Sequence, residues 1–170
     1  MKKINLSIQF AIVAGFLNCV AWYALAKNMG FYEIKVYVYR NYLTILLLFL
    51  GIFLSTFFTK RANLGFLDFK KAVKDGLLFS FVLAVIIAIF NYLYYNFITP
   101  DTIDFFLSEA KKFMLQFPDK YKTEDIPRYL EGERGNFSSL KLIPPILFFG
   151  LIISLLAGAL FQKKVIPSDN

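Results

Sequence analysis

A chain of 170 residues that is 58% hydrophobic, with mean hydropathy +0.56, has more apolar surface than a domain of its length can bury in its own core. The net charge is +7, but Lys and Arg flank long uncharged stretches instead of forming one basic face; this argues for orientation in a membrane and against nucleic acid as a partner. Histidine is absent and Cys19 is the single cysteine, which excludes histidine-ligated zinc or haem, histidine acid–base chemistry and a disulfide framework.

Four apolar windows follow in chain order. The first covers residues 4–26 and spans roughly 34 Å as a helix, enough for a hydrocarbon core of ~30 Å. Trp22 and Tyr23 sit near its far end, where amphipathic rings favour the headgroup boundary. Lys2, Lys3 and the Ala24-Leu25-Ala26 triplet also mimic a secretory signal with its cleavage site. The apolar stretch is longer than a signal's apolar region, so a retained span is the better reading. The second window covers 42–59, with an earlier start open because Val36, Tyr37, Val38 and Tyr39 precede it. Arg40 would then lie near the interface and snorkel. The third covers 76–98, closes on Tyr92, Tyr94 and Tyr95, and is stopped by Pro100. The fourth covers 142–161, with Pro144 and Pro145 in its first turn, where missing amide donors cost little. The windows lack the alternation of a lipid-facing strand and are about twice its length. The expected fold is all-α: a single integral membrane four-helix bundle with an amphipathic helix in its long outer loop, residues 99–141.

The compact flanks on one side are densely basic: Lys2 and Lys3, then Lys60, Arg61, Lys70, Lys71 and Lys74, then Lys163 and Lys164. On the other side, residues 99–140 of the long loop have six basic and eight acidic residues. The positive-inside tendency places both termini and the 60–75 loop in the cytoplasm.

Small residues recur at four-residue spacing. The packing candidates are Gly15 in the first window, Gly51 and Ser55 in the second, Gly76, Ser80, Ala84 and Ala88 in the third, and Gly150, Ser154 and Gly158 in the fourth. Such faces let backbones approach closely where lipid supplies no hydrophobic force between helices. Gln9, Asn18 and Asn91 are the costliest polar groups to leave in lipid, and each needs a partner.

Between the spans, residues 65–75 read as a short basic interfacial helix running into the third span. Lys70, Lys71 and Lys74 would meet anionic headgroups. Phe66, Phe69 and Val73 would share its apolar face. Residues 101–117 follow a helical repeat through Ile103, Phe106, Ala110, Phe113 and Phe117, with Thr102 as its cap. Phe106 and Phe113 are candidates for a membrane surface. Residues 118–139 are polar and contain Gly132, Gly135 and Pro127, which implies partial flexibility with one turn of contact at Ile126–Tyr129–Leu130. The carboxylates of this loop match no metal or acid–base motif.

Three features together carry a family resemblance: GFLDFKKAVKDG at 65–76, YLYYNFITPD at 92–101 closing the third span, and the late span at 142–161 followed by Lys163 and Lys164. Over nearly all its length the chain resembles domain of unknown function 4199, a bacterial family found mainly in Bacteroidota. The resemblance implies a small four-span inner-membrane protein and no known reaction or catalytic residue.

No catalytic residue, cofactor site or metal site is legible. The sequence favours a non-enzymatic membrane component that scaffolds, regulates or assembles, with membrane lipids, further copies of itself or other envelope proteins as partners. An oligomeric channel or transporter is one alternative. A lipid-modifying enzyme using Asp101, Asp104 and Glu109 near the headgroups is another.

Overall fold

The computed structural model describes residues 5–163. Ile4, Lys2, Lys3 and Lys164, which entered the span and sidedness expectations, lie outside the described residues. The described chain is helical throughout, with one isolated antiparallel bridge between Leu67 and Lys163.

Four helices are long and apolar enough to cross a membrane. Helix α1 is Leu6–Met29. The Asn5 side chain accepts from the Ser7 amide at 2.9 Å and caps its start. Gly30 ends it at φ +105°, a conformation with a steric cost for any residue with a Cβ. Lys27 therefore lies in the last turn of the helix and does not close it. Helix α2 is Ile34–Ala62. It begins eight residues before the hydropathy window because a helix does not stop where charge begins. Val36 and Arg40 turn inward in its first turns, and both are buried.

Helix α3 is Phe69–Leu93, capped by the Asp68 carboxylate, which accepts from the Lys70 and Lys71 amides. A π-helical turn, Tyr94–Ile98, extends it. The basic segment before the third span is thus continuous with the span from Phe69 onward. Gly65, at φ +85°, and Phe66 stand outside the helix, so the expected shared face reduces to Phe69 and Val73.

Helix α4 is Thr102–Leu115 and α5 is Ile126–Asn136. Thr102 is the first residue of α4 and buried; it is not the cap, and the Asp101 side chain makes no capping bond either. Residues 118–139 are more ordered in form than their composition implied. Pro127 suits the first turn of α5, Ile126 is buried, and Arg134 pairs with Asp104 of α4 at 2.8 Å. Helix α6 is Ile143–Phe161, opened by Pro144 and Pro145.

Helix α3 packs on α1, α2 and α6, and most extensively on α6. Both described chain ends and the 63–68 turn share one end of the assembly, tied by the Leu67–Lys163 bridge and by Asn5 donating to Asp75 at 3.2 Å. This is the basic end. Residues 30–33 and 99–142 form the other, the cap end.

In each spanning helix only 28–44% of the most apolar stretch is buried. Phe16, Leu46, Ile89, Phe148 and Leu160 all point outward and are more than half exposed. Apolar exposure on this scale around every long helix is the surface of a protein dissolved in lipid. The chain is an integral membrane protein.

Every small residue singled out from the sequence is buried. A Cβ on Gly51 would strike the Phe79 ring, one on Gly76 would strike Ser154, and one on Gly150 would strike Ser80. Gly15 faces Ile86, and Gly158 faces Phe69 and Val73. Ser55, Ser80 and Ser154 are buried and return their hydroxyls to carbonyls of their own helices, those of Ile52, Gly76 and Gly150. That arrangement leaves no hydroxyl stranded in hydrocarbon. Gly51→Ala and Gly150→Ala are each expected to cost about 1–3 kcal/mol by overpacking, read as a lower thermal midpoint in detergent micelles. Gly132→Ala, where a Cβ meets open space, is expected to leave the midpoint unchanged or raise it slightly. Equal midpoints for all three variants would contradict the close-packed seams.

Candidate functional site

The first turns of α2 read Tyr37, Arg40, Asn41 and Thr44. A three- and four-residue spacing puts Tyr37, Arg40 and Thr44 on one face, and that face is turned toward α1 and α3. Arg40 is 8% exposed. Its side chain turns into the bundle instead of out to the surface. Its guanidinium lies 4.6 Å from the Trp22 ring centre and 5.7 Å from that of Tyr37, a cation–π arrangement worth about 2 kcal/mol when desolvated. Nε and Nη2 donate to Asn41 Oδ1 at 3.2 and 3.0 Å. Nη1 makes a long contact, 3.5 Å, with Asn91 Oδ1. The Tyr95 hydroxyl lies beside both the guanidinium and Tyr37. Among the described residues no carboxylate forms an ion pair with Arg40.

The polar neighbours are held by the spans. Asn91 of α3 also donates to Ser139 Oγ at 3.0 Å and to the Phe137 carbonyl at 3.4 Å, so one buried amide joins Arg40 to the segment entering α6. Asn18 of α1 donates to Thr44 Oγ1 at 2.9 Å, and Thr44 donates to the Arg40 carbonyl at the same distance. Trp22 is fully buried against Phe90, Tyr94 and Tyr95, with ring centres 5.1, 4.6 and 6.3 Å away. These rings fix the face over which the guanidinium lies.

The cap closes over this cluster. Phe106 of α4 meets the Tyr37 ring edge at 5.2 Å and stacks on Phe137 at 6.0 Å. Phe105 meets Tyr32 at 4.7 Å. Beneath α4 lies a chamber of about 620 Å³, with Arg40, Asn91 and Tyr95 on its floor and Phe106, Ala110 and Phe113 in its roof. Its size is that of a small-molecule site. A second cavity, about 290 Å³, runs between α2 and α6 past Thr44, Leu48 and Ile146. Arg40 and Leu142 line both.

The residues read from the sequence fall in three places. The small residues are buried, and Gly51, Gly76 and Gly150 each face a side chain of another helix. Lys70, Lys71 and Lys74 are exposed at the basic end, with Lys71 paired to buried Asp75 at 2.9 Å. Phe106 turns toward Tyr37 and Phe137, whereas Phe113 is 54% exposed and stacks on Phe117. The three carboxylates weighed as reactive groups do not converge. Asp101 is exposed, Asp104 pairs with Arg134, and Glu109 pairs with Lys112 at 2.6 Å. Among the described residues no cluster of three metal-ligating side chains exists. The sequence puts Arg40 ahead of the second apolar window and Tyr95 at the aromatic close of the third, and does not join them. The missed signal was Arg40 itself, the one charge between Val36 and Thr59, with aromatic residues on both sides.

The family model described as a protein of unknown function (DUF4199) matches residues 9–163. The chain belongs to this family. The match spans all four long helices and the cap, so the Arg40 cluster and both cavities lie within the region by which the DUF4199 family is defined. No curated protein and no solved structure matches the chain.

Arg40 and Asn91 make an unequal pair. Asn91→Leu removes an acceptor from a buried charge and the tie to Ser139, and is expected to cost about 1–3 kcal/mol. Adding Arg40→Met removes the charge that was stranded, and apolar replacement of a buried ion is often neutral. The double variant should therefore be more stable than additivity allows, measured as a double-mutant cycle of thermal midpoints in detergent. Strict additivity would show that the two side chains are not coupled.

Proposed function

We propose that this DUF4199 protein is a non-enzymatic component of the bacterial inner membrane, a four-span bundle that works by contact through its cap. The observation that carries this reading is the disposition of polar groups. In the spans the buried amides join helices, as at Asn18–Thr44 and Asn91–Ser139. In the cap the carboxylates are dispersed and salt-bridged, as at Asp104–Arg134 and Glu109–Lys112. An enzyme needs such groups gathered around a reacting atom. Contact surfaces remain: exposed Phe113 and Phe117 on the cap and Lys70 and Lys74 at the basic end. The basic end faces the cytoplasm, where lysines meet anionic headgroups, and the amphipathic α4 faces outward along the membrane surface. The partner is a second copy of this chain or another envelope protein.

Two measurements test this. In a Cys19→Ser background, a membrane-impermeant maleimide should label Ser108→Cys in intact cells and Lys74→Cys only after permeabilisation; the reverse order would overturn the orientation. Purified in mild detergent, the protein should run as a defined oligomer or as a stoichiometric complex with one envelope protein, and Phe113→Asp with Phe117→Asp should dissolve it. A lone monomer in every mild detergent and in lipid nanodiscs would contradict a contact function.

A further inference from the structure

A buried guanidinium normally has a carboxylate close by, because an uncompensated ion in a low-dielectric site costs several kcal/mol. Arg40 has carboxamides, phenols and a ring face, and among the described residues no anion within ion-pair distance. Amides and aromatic faces orient a guanidinium without neutralising it. Its planar fork matches a carboxylate or a phosphate. The space around it is mostly apolar and continuous with the lipid-facing surface. The α2–α6 groove ends at Arg40, and its outer walls, Ile45 and Phe149, are 42% and 43% exposed on the face that meets hydrocarbon. On the cap side, Glu109, paired with Lys112, and Glu133 line the same chamber.

We propose that Arg40 binds the head of an anionic single-chain amphiphile, a fatty carboxylate or an alkyl phosphate monoester, taken from the surrounding bilayer. The hydrocarbon chain lies in the groove between α2 and α6, and the head sits beneath the aromatic cap within reach of Arg40 and the Tyr95 hydroxyl. The groove supplies the apolar contact and the guanidinium selects the charge. Neither depends on the partner-binding reading above, since a monomer would carry the same site.

The chain has an internal reporter. Trp22 is its one tryptophan and lies 4.6 Å from the Arg40 guanidinium. The full-length protein in uncharged detergent is titrated with a stearate brominated in mid-chain, at a pH where it is ionised, with its methyl ester, and with a similarly brominated alkyl phosphate. Bromine quenches indole fluorescence at short range. Both charged probes should quench saturably, with Kd at least about tenfold below that of the ester, a difference of about 1.4 kcal/mol. Acetate and inorganic phosphate should not displace them. Arg40→Met should erase the preference for charge, and Arg40→Lys should keep part of it. Three results would overturn the proposal: equal quenching by acid and ester in the unaltered protein, a charge preference that survives in folded Arg40→Met, or displacement by inorganic phosphate or acetate alone, which would mark a small-anion site. If Arg40→Met does not fold, the acid–ester comparison in the unaltered protein and Arg40→Lys decide the matter. A defined oligomer with no charge preference would sink this proposal and leave the contact function standing; a monomer with the preference would do the opposite.

Discussion

Helices in lipid gain nothing from hiding apolar side chains from one another, because the tails around them are equally apolar. What holds them is close backbone approach, and in this protein that approach is concentrated where α3 meets α6. The two run antiparallel in constant register: Gly76 opposes Ser154, Ser80 opposes Gly150, and Gly158 opposes Phe69 and Val73. Each glycine receives a side chain from the facing helix, and each serine satisfies its own hydroxyl within its own helix. Gly51 extends the same device to α2 by receiving the Phe79 ring. Helix α3 therefore becomes the central post, and α1 and α2 are positioned on it.

That placement has a consequence at the cap end. With α3 fixed against α1 and α2, Trp22, Tyr94 and Tyr95 meet in one fully or nearly buried aromatic cluster. Arg40 enters it from α2 and Asn91 from α3. The cap is then attached by few polar links, chiefly Asn91 to Ser139 and to the Phe137 carbonyl, and by ring contacts from Phe105 and Phe106. A rigid membrane part thus carries a lightly tethered cover over a charged, mostly apolar chamber.

The spans were legible because hydropathy over twenty residues is a sum in which single errors cancel. The seams were legible because glycine and serine at four-residue spacing have few other uses in a membrane helix. The true start of α2 was not. Charges at Glu33, Lys35 and Arg40 end a hydropathy window, but helix geometry continues through them, and only the packing of α1 and α3 shows that Arg40 faces inward. Helix α5 was hidden for a related reason. The sequence marks Ile126 as a contact, but the exposed ion pair between Arg134 and Asp104 joins residues thirty apart in the chain, which local composition does not show. Phe106 and Phe113 belong to one amphipathic pattern, and nothing local distinguishes the ring that turns in against Tyr37 and Phe137 from the one that lines the chamber while staying half exposed.

The account stands or falls on the antiparallel seam of α3 and α6. Its register places Ala84 opposite Ile146, both buried. In native membranes of a Cys19→Ser background, paired cysteines at these two positions should oxidise readily to an intramolecular disulfide, because the small-residue seam holds the backbones within bridging distance. A pair at Ile89 and Phe148, both on the outer faces, should not. Failure of the first pair to cross-link while the second does so would mean that the helices meet through other faces, and the cap site would lose the frame that builds it.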